Sequence, residues 1–124
     1  MAPARQVIVS AFFEQLIAFM SELKEMYPDD PDFALGLSSI KMLRNINPSI
    51  VVKMLFDSAA MYENEILSKN EKFFLDHSFS NIQEMDFNLL DKLKQYVRGM
   101  SEASKKNVWI YLENLYKLAK IIST

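Results

Sequence analysis

His77 is the one imidazole in the chain, and there is no cysteine. Those two counts remove disulfide scaffolds, thiolate metal sites, iron–sulfur clusters and thiol nucleophiles, and they leave no multi-histidine metal site within one chain. His77 stands in a polar stretch and reads as a loop residue; its chemical alternative is a pH-sensitive contact at an interface. The surrounding string Asp76-His77-Ser78-Phe79-Ser80-Asn81 has the outline of a calcium loop. It lacks the glycine at the sixth position and the bidentate glutamate at the twelfth, where Phe87 stands, so it reads as a solvated loop.

Carboxylates cluster at Asp29, Asp30 and Asp32, and again at Glu63 and Glu65. A catalytic pair needs one member desolvated so that its pKa rises. The first cluster is accounted for by helix capping and by the macrodipole, which favours acids in a first turn. Apart from Ser78 and Ser80, no serine lies near the histidine, which leaves no Ser-His-Asp triad in view. Gly36 and Gly99 stand alone, so there is no glycine-rich phosphate loop. The expectation is a protein that is not an enzyme, with no catalytic residue, no cofactor and no metal.

The elements that would position any site are helical. The chain has 124 residues, half of them apolar, with two glycines. That length suits one domain with its own core, here 1–124 as a single helical unit. Leucine and methionine dominate, whereas threonine occurs once, at Thr124. Such side chains keep their rotamer freedom in a helix, and strand proteins need more glycine and threonine. The fold class is therefore all-α: a compact bundle of about five helices with one or two short helical turns.

Ile8, Phe12, Leu16, Phe19, Leu23 and Met26 recur on one helical face, and Phe13, Ile17 and Met20 widen it, which predicts a first helix over 6–26. Tyr27-Pro28 ends it, since the residue before proline avoids the α region. Asp30 then caps and Pro31 opens a second helix. Asn47-Pro48 repeats that grammar and predicts a side-chain cap on a third helix running to about 68–70. Residues 71–75 make one apolar turn. A fourth helix is expected over 86–98, stopped by Gly99, and Ser101 caps the last, with Val108, Leu112, Leu115, Ala119 and Ile122 facing inward. No apolar run reaches the ~18–20 residues that span a bilayer, so no membrane span is expected. No N-x-S/T sequon occurs, since Pro48 blocks Asn47-Pro48-Ser49. With zero cysteine, that suits an intracellular protein or a particle assembled inside a cell.

Charge and aromatics carry the functional expectations. Residues 22–32 hold five acids against Lys24, whereas 92–124 hold Lys92, Lys94, Arg98, Lys105, Lys106, Lys117 and Lys120 against Glu102 and Glu113. That basic third is either a solvated face or a surface for nucleic acid or an acidic partner. On the last helix Trp109, Tyr111 and Tyr116 flank the core stripe and are candidate partner-docking residues, because Trp and Tyr are enriched at interface hot spots. The bland alternative is a generously packed core, and a ligand pocket among the aromatics is a third possibility.

Two stretches, 12–23 followed by Tyr27-Pro-Asp-Asp30, and Ser104-Lys-Lys-Asn-Val-Trp-Ile-Tyr-Leu112, resemble small helical proteins of large nucleocytoplasmic DNA viruses that infect algae and protists. Asn47-Pro48 opening a helix fits the same pattern. The resemblance implies a small viral protein, of the virion or of the host cytoplasm, and carries no site residues with it. The combined expectation is a non-enzymatic interaction or structural protein that docks another protein or itself through an apolar and aromatic helix face. The alternative is a weak nucleic-acid-associated factor using the basic C-terminal third.

Overall fold

The computed structural model describes residues 2–76 and 89–123. Within them the chain forms α1 (Ala2–Met26), α2 (Pro31–Ile46), α3 (Pro48–Ala59), a 3-10 turn (Ala60–Tyr62), α4 (Glu63–Leu67), α5 (Glu71–Asp76), α6 (Leu89–Val97) and α7 (Glu102–Ser123). No strand occurs among the described residues, and the fold is all-α as expected. His77, the calcium-loop outline beyond Asp76 and the first residues of the expected fourth helix lie outside the described residues.

α1 is the spine. Phe12, Phe13, Leu16, Phe19, Met20 and Leu23 are all buried, covered by α2 on one side and α7 on the other. By length and composition alone Arg5–Met26 is apolar enough to cross a membrane, a test that a buried core helix also passes. In the fold its stripe is instead the centre of the core. Phe33 and Leu37 of α2, Val52 of α3, Leu93 and Val97 of α6, and Val108, Leu115 and Ala119 of α7 complete that core.

α1 runs antiparallel to both neighbours. Phe19 stacks on Tyr111 at 4.8 Å near one end, and at the other Arg5 Nη1 donates to the Ile122 carbonyl at 2.9 Å. Likewise Tyr27 meets Phe33 at 6.0 Å, whereas Arg44 Nη2 donates to Ser10 Oγ at 3.2 Å. The fork of Arg5 also satisfies a carbonyl of the last turn of α7, where a cation is favoured by the helix dipole.

Helix starts follow local chemistry with one exception. Asp30 Oδ1 accepts from the Asp32 amide at 3.0 Å, with Pro31 in the first turn. Ser101 Oγ accepts from the Ser104 amide at 3.2 Å, and Asn70 Oδ1 caps α5 through the Phe73 amide at 3.0 Å. Asn47, expected to cap α3, makes no side-chain cap bond. Its backbone is already engaged as the end of α2, its amide donating to the Leu43 carbonyl at 2.8 Å, and at φ −154° and ψ 76° its side chain is not placed over the next helix.

The third helix is also shorter than its periodicity predicts. It stops at Ala59, tightens through the 3-10 turn and resumes as α4. Across this change of winding Tyr62 meets Phe73 at 5.8 Å and Glu63 meets Lys120. α4 then ends in a Schellman turn: the Asn70 amide donates to Glu65 O at 3.0 Å, the Lys69 amide to Ile66 O at 3.2 Å, and Lys69 takes φ 55°.

Candidate interaction surfaces

The three flank aromatics of α7 face inward more than their spacing suggests. Tyr116 is buried and stacked on Phe56 at 5.8 Å, so it offers a partner no surface, which corrects its place on an open flank. Trp109 is half-buried with its indole edge-on to Phe74 at 5.0 Å. Tyr111 is half-buried on Phe19 and also lines a groove. Burial pushes the phenols of Tyr111 and Tyr116 above their ordinary pKa, Tyr111 being helped by a hydrogen bond to Glu22.

That groove, of about 320 Å³, lies between the last turns of α1 and the first turns of α7. Phe19, Leu23, Val108 and the Tyr111 ring make its floor, and Met26 its open edge. Glu22 and Glu25 stand on one rim, Ser104 and Asn107 on the other. Neither glutamate pairs with a cation among the described residues, and both are exposed.

The seven cations of the C-terminal third do not converge on one surface. Lys92 Nζ lies 3.0 Å from Asp30 and 2.7 Å from Asp32. Lys105 sits 3.6 Å from both Glu71 and Glu102. Lys117 meets Glu113 at 2.9 Å and Lys120 meets Glu63 at 2.5 Å. Arg98 donates to the Leu75 carbonyl at 3.1 Å, Lys94 is half-buried and Lys106 is exposed. Packing therefore uses most of this charge to fasten α7 and α6 to the acidic pole and to α4 and α5.

The tightest polar cluster is one that spacing alone does not disclose. Asp30 Oδ2 accepts from Lys92 and from the Tyr96 hydroxyl, whose ring stacks on Tyr27 at 3.9 Å. The Tyr96 hydrogen bond holds the Asp30 carboxyl below its usual range, and Asp32 first and then Asp30 raise the Lys92 ammonium. Each group is paired with its complement, so the cluster fastens α6 to the α1–α2 turn. The signal for it was the opposed charge of 22–32 and 92–124, which names the poles but not the pairs. Among the described residues, no group of three or more His, Asp or Glu side chains is placed to hold a metal ion.

No family model, no curated protein and no solved structure matches the chain.

Proposed function

We propose that this helical bundle is a non-enzymatic docking protein whose α1–α7 groove receives an apolar anchor flanked by a cation from a partner chain. The observation that supports this reading is the combination at one seam: an apolar floor including the Tyr111 ring, and the Glu22 and Glu25 carboxylates without internal counter-ions. The volume, about 320 Å³, is at the small end for ligand pockets, of a size for one or two side chains rather than a cofactor. Buried anchors in such pockets carry most of an interface's energy, and rim charges set register and on-rate. A place in a virus particle is the setting that the sequence resemblance implies.

Random peptides displayed on phage and selected on the folded chain test it. Selection should enrich an aliphatic or aromatic residue beside lysine or arginine. The enriched peptides should lose binding to a Glu22→Lys, Glu25→Lys variant whose melting curve is unchanged. Peptides that bind the variant equally well, or a selection with no such enrichment, overturn the reading.

A further inference from the structure

The end of the bundle opposite the groove is built from different chemistry. The Arg5–Ile122 and Arg44–Ser10 hydrogen bonds bring the first turns of α1 together with the last turns of α7 and α2. Asn47 alone separates α2 from α3, so the start of α3 belongs to the same end. Residues 5–10, 40–56 and 114–123 contain six cations, Arg5, Lys41, Arg44, Lys53, Lys117 and Lys120, and no aspartate or glutamate. Lys53, Lys117 and Lys120 find carboxylates in Asp57, Glu113 and Glu63. Arg5 and Arg44 do not: their hydrogen bonds go to a carbonyl and a hydroxyl, and Arg44 also lies over the Phe13 ring at 5.7 Å. Lys41 is exposed and in no ion pair among the described residues.

Beside these uncompensated charges the same end exposes Val7 (66%), Ile46 (70%), Met42, Ile50 and Ile121. Met42 and Ile46, with Leu35 further along, lie on the face of α2 opposite its buried Phe33, Gly36 and Leu37. No aromatic side chain is among the exposed large hydrophobics of the described residues. A protein hot spot relies on aromatic anchors held in pockets. A nucleic acid rewards the cations but not the aliphatic tips, since its affinity comes from phosphate contacts. An anionic bilayer accommodates both, head groups taking the charges while aliphatic side chains reach the acyl boundary, and it requires no pocket.

We propose that this end of the bundle rests on an anionic lipid surface. The contact is peripheral, because α1 remains packed in the core. Phe19, the first groove residue on α1, lies 14 residues beyond Arg5, which holds the groove away from the lipid by about 21 Å at 1.5 Å per residue.

Cosedimentation with vesicles tests the proposal on the whole chain. The protein should pellet with vesicles of equal parts phosphatidylcholine and phosphatidylserine and stay in solution with phosphatidylcholine alone. Lys41→Gln should weaken partitioning severalfold, roughly the effect of one basic residue near an anionic surface. Ile46→Ser with Ile121→Ser should weaken it by a similar or larger factor, and circular dichroism should show both variants folded, since all three side chains are exposed. Failure to pellet with the mixed vesicles, or pelleting that neither variant reduces, overturns the proposal. It is also overturned if a DNA duplex at the same salt is retained as well as the vesicles are and the isoleucine changes affect neither, because the end is then a polyanion surface without lipid preference.

Discussion

Lys92 and Asp30 are separated by 62 positions in sequence and by 3.0 Å in space. The carboxylate that caps α2 through one oxygen is thereby also the anchor of α6 through the other, where Tyr96 joins Lys92. Half of that arrangement is local and half depends on the whole fold.

The pH dependence of stability should show this anchor. The folded Asp30 pKa lies below its ordinary value, so its contribution is present above the unfolded carboxylate pKa and is lost as pH falls. The Lys92 pKa is raised, so its contribution is present below the ordinary lysine value and is lost as pH rises through the folded one. Melting temperature should therefore stay level between about pH 5 and pH 9 and drop outside that window. Asp30→Asn keeps an oxygen for the Asp32 amide and removes the charge, so it should flatten the acid limb. An acid limb identical to that of the parent protein counts against the anchor.

The helix caps separate cleanly by mutation. Ser101→Ala should destabilise by about 1 kcal/mol, because the Ser104 amide loses its acceptor. Asn47→Ala should stay within about 0.5 kcal/mol, since that side chain accepts no cap bond. Urea melts of the two variants side by side check the order; a larger effect at Asn47 reverses it.

Lys69 occupies a left-handed position, φ 55°, that glycine adopts without strain. Lys69→Gly should raise stability by about 1 kcal/mol, the order of the penalty for an L-residue there. Its ion pair with Glu113 is 3.5 Å long with the lysine half-exposed, and losing it offsets little of that gain. A fall in melting temperature shows the turn to be set by something other than backbone conformation.

Core and surface apolar residues should behave oppositely. Leu115 is fully buried, and Leu115→Ala should cost roughly 2–5 kcal/mol by opening a cavity in the bundle. Leu35 on the outer face of α2 is 64% exposed, and Leu35→Ser should leave the melt within about 0.5 kcal/mol. Equal losses at both positions show that the outer face of α2 is covered in solution.

The all-α class, the stop at Tyr27-Pro28, the starts at Asp30-Pro31 and Ser101, and the inward stripes of α7 and of α1, apart from the exposed Met26, were legible in the residues alone. Each rests on interactions that close within a turn or two: a side-chain oxygen over the next amides, a proline that excludes its neighbour's α conformation, an apolar repeat near 3.6. Asn47 shows the boundary of that logic, for the same Asx-Pro pair caps α2 but not α3 once its backbone serves the preceding helix. Spacing marked Trp109, Tyr111 and Tyr116 as flanks, yet only the packing of α1, α3 and α5 against α7 decided that Phe19, Phe56 and Phe74 would cover their rings. Composition likewise displayed an acidic and a basic segment. Which lysine would meet which carboxylate, and that Arg5 and Arg44 would meet none, depends on the relative placement of helices distant in sequence. A periodic pattern states that a face is apolar or charged; what lies across from it is a property of the tertiary structure.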